Sequence, residues 1–226
     1  MTAPLWRRAL AEFLGTGLLV AIIIGSGIMA ESLSPGDAGL QLLQNSIATA
    51  LGLAVLIVLF MPVGGAHLNP LVTTADSAFA GSVGRAGDAL ARIAAQLTGA
   101  VGGALLANAM FAVPIAFSTK IRADLGTVLA EVVATAGLIL VVFGLERAGR
   151  SAGVIAAAVG AYIGAAYWFT SSTAFANPAV TVGRMFTDTF AGIAPASAPW
   201  FVGAQILGAA IGTGLVLLLF PRKAVS

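Results

Sequence analysis

Six apolar runs separated by short polar segments dominate the chain, near residues 8 to 30, 40 to 62, 89 to 113, 125 to 145, 152 to 170 and 198 to 220. A helix needs about 20 such residues to cross the hydrocarbon core of a bilayer. Lys and Arg number 11 and Asp and Glu 9 in 226 residues, about one charge in eleven positions where a soluble domain carries about one in four. That is too few to solvate a globular surface, so the fold class is an all-α, polytopic membrane protein, read as one domain over 1–226.

The first run follows Arg7 and Arg8 and ends in small residues, as a cleaved signal does. Glu12 near its start, and its match to a later segment, argue against cleavage. Six spans place both termini on one side. That side holds Arg7, Arg8, Arg85, Arg92, Arg147, Arg150, Arg222 and Lys223, against Lys120, Arg122 and Arg184 opposite. The excess predicts cytoplasmic termini in the cell membrane.

Composition also removes several functions. Without cysteine and with His67 as the one histidine, thiolate chemistry, Cys-ligated metal and a multi-histidine site are excluded, and no cofactor is expected. Scattered basic residues in short loops offer no stripe for nucleic acid. An intramembrane enzyme is disfavoured because no paired nucleophile and base stands out.

Two segments fall outside the spans: Gly64-Gly65-Ala66-His67-Leu68-Asn69-Pro70-Leu71-Val72-Thr73 and Ser172-Thr173-Ala174-Phe175-Ala176-Asn177-Pro178-Ala179-Val180-Thr181. Their asparagines lie 108 residues apart, Gln96 and Gln205 lie 109 apart in Ala-Gln blocks, and Glu12 and Glu131 lie 119 apart. Three blocks in order mean an internal duplication, with halves near 8–113 and 125–220. Three spans per half is odd, so the halves insert with opposite topology, as in channels and transporters.

Proline at the first turn of a helix costs no hydrogen bond, and asparagine before it is a favoured N-cap. Pro70 to Phe79 and Pro178 to Thr187 therefore read as re-entrant half-helices of about ten residues, about 15 Å long, half a bilayer. Entering from opposite faces, they meet N-terminus to N-terminus near the midplane. Irregular backbone at that depth is tolerated only in protein or along an aqueous cavity.

The paired Asn-Pro boxes, the His-Leu before the first, the six spans and the duplicated glutamates together resemble the aquaporin, or major intrinsic protein, family over essentially the whole chain. The resemblance implies a pore in each subunit of a homotetramer, with lipid, water and small neutral solutes as partners. It implies that Asn69 and Asn177 donate hydrogen bonds to the passing solute, and that the half-helix dipoles exclude cations. It also implies that Glu12 and Glu131 accept hydrogen bonds from buried loop groups; a proton-carrying role is the rival reading.

The filter departs from the family. Water-selective members place an arginine after the second box, where this chain has Val180, which removes a fixed cation and five donors. Carrying the other positions over gives Thr49, Ala165 and Ala174, all small or uncharged. Thr181 stands where glycerol facilitators usually have Asp, while Trp200 and Phe201 look more like the water-channel pattern. The stretch from Ala166 to Ser172 resembles bacterial members associated with arsenite movement. The expected function is a passive channel for arsenite, glycerol or similar solutes, with some water. The alternatives are a water-selective aquaporin and an ion-coupled transporter.

Arg184, one turn beyond Val180, either reaches back to the filter or is a lipid-interface or loop-pairing arginine, for instance with Asp188. Asp76, its counterpart in the first half, either pairs with Arg85 or lines the inner vestibule. His67 is expected to line the pore or to bond a loop. Gly99-x-x-x-Gly103 and Gly208-x-x-x-Gly212 predict close crossing of spans 3 and 6. Tyr162, Tyr167 and Trp168 read equally as interfacial anchors or pore lining.

Overall fold

The structure is a computed structural model that describes residues 3–80 and 86–221. Its helices are α1 (Leu5–Leu33), α2 (Ala38–Gly64), α3 (Pro70–Ala80), α4 (Ala86–Met110), α5 (Leu125–Arg147), α6 (Ala152–Phe169), α7 (Pro178–Gly183) and α8 (Ala198–Leu219). Six of them are long and apolar enough to span a membrane. The short α3 and α7 start at the two Asn-Pro boxes.

Local chemistry sets the helix ends. Asp37 accepts a hydrogen bond from Leu40 N at the start of α2, and Gly65 closes that helix at φ 89°, a conformation glycine adopts without a Cβ penalty. Asp124 and Thr127 form a reciprocal capping box on α5. The second half-helix is shorter than its ten predicted residues: α7 ends at Gly183 and continues as a single 3-10 turn, Arg184–Phe186. Val180, Thr181, Val182 and Gly183 are poor helix formers, so little opposes that tightening.

The packing repeats between the halves. α1 lies on α4 as α5 lies on α8, α1 meets α2 as α5 meets α6, and each half-helix touches the last span of both halves. The predicted close crossings exist, but spans 3 and 6 make them with spans 1 and 4 rather than with each other. A Cβ on Gly99 or Gly103 would collide with the carbonyl oxygens of Phe13 and Gly17, and one on Gly208 or Gly212 with those of Val132 and Ala136. These carbonyl partners are again 119 residues apart in sequence. Backbone-to-helix approach of this kind is how helices associate in lipid, where the hydrophobic effect offers nothing.

Gly103→Ala should therefore force α1 and α4 apart and destabilise the fold by about 1–3 kcal/mol. Gly102→Ala is the control, because a Cβ there first meets the Phe13 ring edge at 3.9 Å. Thermal unfolding in detergent, followed by circular dichroism, should separate the two; equal melting temperatures would refute the crossing as a stability determinant.

Candidate functional site: a cavity through the helical bundle

A cavity of about 340 Å³ runs past both Asn-Pro boxes. Its walls are rows of side chains at helical i, i+4 spacing: Thr49, Leu53, Ile57 and Met61 on α2, and Ile155, Val159, Ile163 and Tyr167 on α6. Leu19 and Ile23 of α1 and Leu138 and Val142 of α5 complete the apolar surface. Each of the latter pairs matches the other at the repeat spacing of 119.

At the middle the two half-helices are tied to each other. Asn69 Oδ1 accepts from Leu71 N at 2.9 Å, and Asn177 Oδ1 accepts from Ala179 N at 2.9 Å and Val180 N at 3.3 Å. Each amide also crosses to the other half: Asn69 Nδ2 donates to Ala176 O at 2.8 Å and Asn177 Nδ2 to Leu68 O at 2.7 Å. An amide nitrogen has two protons. One therefore joins the halves, and the other remains for the cavity that both asparagines line. Pro70, Leu71, Pro178 and Ala179 sit behind this surface; Leu71 packs with Val72, Ala75, Ile139 and Phe143.

The loops leading into the boxes carry left-handed residues that are not glycine: Ala66 and Leu68 in one, Thr173, Ala174 and Ala176 in the other, with φ between 47° and 61°. Such residues are strained and persist only where their surroundings over-determine them. The buried glutamates supply that constraint. Glu12 accepts from His67 N at 3.0 Å, Leu68 N at 2.7 Å, Gln96 Nε2 at 2.8 Å and Arg92 Nη2 at 2.6 Å. Glu131 accepts from Phe175 N and Ala176 N at 2.9 Å, Ser172 Oγ at 2.6 Å and Gln205 Nε2 at 2.6 Å. Both carboxylates are thus engaged by loop and helix donors on both oxygens.

Thr49, Ala174 and Val180 line the cavity. Ala165 does not. It lies on the exposed face of α6, two residues and about 200° of helical rotation from Tyr167. Tyr167 is the α6 residue at this level, 3% exposed, with its hydroxyl 3.1 Å from Thr49 Oγ1. The other two aromatics serve elsewhere: Tyr162 OH donates to Ala134 O at 3.1 Å, and Trp168, half-exposed, donates to Ser46 Oγ at 3.1 Å.

Arg184 lines the cavity with 2% exposure, its guanidinium carbon 3.5 Å from the centre of the Phe175 ring. Its Nε donates to Ala191 O. It does not pair with Asp188, which accepts from Thr119 N at 2.9 Å and from the Ser118 and Thr119 hydroxyls; the Thr119 N–H holds that carboxyl below its usual range. At the other end of the cavity are His67, Asp76, Arg92 and Glu146. Asp76 lies beside His67, and Arg85, the partner weighed for it, is outside the described residues.

The sequence model for the major intrinsic protein family matches residues 1–172. The chain belongs to that family. Among major intrinsic proteins it is 46% identical over 223 residues to aquaglyceroporin AqpS of Rhizobium meliloti, covering 98% of this chain and 94% of the relative. It is 32% identical over 264 residues to a glycerol uptake facilitator protein of Pseudomonas aeruginosa, covering 98% and 91%. The fold matches the crystal structure of the aquaglyceroporin from Plasmodium falciparum with a TM-score of 0.71 at 20% identity, over 94% of this chain and 96% of that one.

Proposed function

We propose that the chain is a passive membrane channel for small uncharged solutes, with glycerol or similar polyols and arsenous acid as the solute class and some water passing too. The observation that carries this reading is the apolar cavity with its few polar stations: the Asn69 and Asn177 amides at the middle, and Thr49, Tyr167, Ala174, Val180 and Arg184 toward the end opposite the termini. Aliphatic walls accept the carbon backbone of a polyol, while the stations replace the water its hydroxyls give up. Val180 in place of an arginine keeps this filter wide. Pore and walls lie within one subunit, and we read the assembly as a homotetramer in the cell membrane with both termini cytoplasmic.

A second reading, a water-selective pore, draws on one observation. Arg184 supplies a buried guanidinium one turn from Val180, and among the described residues its terminal nitrogens have no hydrogen-bond partner. The two readings separate in proteoliposomes of the purified protein after a hyperosmotic step, with light scattering recorded for glycerol, arsenite and an impermeant sugar. Rapid shrinkage followed by rapid re-swelling in glycerol or arsenite is the expected result. Shrinkage without re-swelling would establish the water-selective pore instead. Flux that saturates and follows a proton or sodium gradient would replace both with a transporter.

A further inference from the structure

At the repeat spacing of 108, His67 corresponds to Phe175 and Asp76 to Arg184. Two aromatic-plus-charge pairs therefore border the cavity, one toward each end. Arg184 over Phe175 belongs to the filter. The other pair, near the face that carries the termini, has no place in that account.

The hydrogen bonds around His67 favour one ring nitrogen as the carrier of the proton. Thr73 Oγ1 accepts from Gln96 Nε2 at 2.9 Å and lies 3.0 Å from His67 Nδ1. Its counterpart Thr181 also accepts from glutamine, Gln205, and gives its own proton to Asn177 O at 2.9 Å. Thr73 makes no such bond to its own box carbonyl, and the arrangement that uses its proton gives it to His67 Nδ1. With Nδ1 an acceptor, the neutral ring carries its proton on Nε2.

That Nε2–H belongs to a side chain only 10% exposed and stands 3.7 Å from Asp76 Oδ2, beyond hydrogen-bond distance. Asp76 has no lysine or arginine partner among the described residues. A buried donor and a charged acceptor thus both border the pore with a gap between them. A hydroxyl group, which accepts and donates at once, satisfies both.

We propose that His67 and Asp76 form a second solute station: His67 Nε2–H donates to, and the Asp76 carboxylate accepts from, one hydroxyl of a passing polyol. The inference rests on the solute-channel reading above and makes Asp76 a specificity-determining residue. A solute leaving the midplane meets a charge-assisted hydrogen bond where it would otherwise still lack part of its hydration.

The test is the ratio of glycerol to water permeability in proteoliposomes of the full chain. Asp76→Ala should lower that ratio about tenfold, the loss of one charge-assisted hydrogen bond. Asp76→Asn keeps an acceptor oxygen at the same reach and should hold the ratio within about threefold of the parent protein. An unchanged ratio in Asp76→Ala overturns the station. So does an asparagine variant as impaired as the alanine one, because the residue would then act through charge alone. If Asp76→Ala conducts no water, Asp76→Ser takes its place, its hydroxyl stopping short of the gap. A parent protein that admits no glycerol overturns the channel reading itself, whereas normal glycerol flux with indifferent variants removes the station only.

Discussion

Glu12→Ala is expected to destabilise the channel strongly, with a larger loss of stability than Glu131→Ala. Either change strands two buried backbone N–H groups, His67 and Leu68 in one half, Phe175 and Ala176 in the other. Each stranded donor costs about 1–3 kcal/mol. The left-handed residues between the spans and the boxes then lose the acceptor that holds them in place. Glu12 has a further duty, because Arg92, 8% exposed, pairs with it at 2.6 Å. Removing one member of a buried ion pair costs about 3–5 kcal/mol by leaving the other unpaired. Among the described residues no cation hydrogen-bonds to Glu131; its fourth donor is the neutral Ser172 hydroxyl. Arg92→Leu added to Glu12→Ala should therefore restore part of the loss. Melting temperatures in detergent for the two single variants and the double variant check the ordering, and a Glu131→Ala protein less stable than Glu12→Ala would refute it.

The same pair of glutamates shows why so much of the fold was legible. Each motif occurs twice in the chain, and the agreement of Glu12 with Glu131, of Asn69 with Asn177 and of Gln96 with Gln205 points to a repeat without any three-dimensional information. The apolar runs define the spans to within a few residues, because a bilayer leaves the backbone few alternatives to a helix. Where the repeat is broken, the sequence was less informative. Spacing carried over from the family points to Ala165 for the filter, whereas the row Ile155, Val159, Ile163 points to Tyr167 through its four-residue period. The posture of Arg184 was not legible at all, since it depends on Phe175 turning its face toward the guanidinium and on Ala191 O returning from a distant loop. Long-range placement of this kind follows from tertiary packing, which no local pattern encodes.

Val180→Arg should slow glycerol passage sharply while water still flows. Val180 occupies the first turn of α7, where Asn177 caps the helix, and it is 2% exposed with its side chain on the cavity wall across from Thr49 and Tyr167. An arginine there replaces a short branched chain with a long stem and five donors at the level where Tyr167 and Thr49 already close one side. Arg184 stands one turn further on, so the two guanidiniums repel and the new one is driven toward the pore axis. A solute as wide as glycerol must squeeze past that stem, and an added barrier of about 1–3 kcal/mol, the scale of steric overfilling in a packed site, slows crossing about 5- to 150-fold. Water is narrow enough to pass beside the guanidinium and exchanges hydrogen bonds with it at little cost. Light scattering should therefore show shrinkage close to that of the parent protein, with re-swelling slowed. If glycerol re-entry keeps its parent rate in Val180→Arg, the width of this pore is set elsewhere, and Arg184 with Tyr167 becomes the constriction.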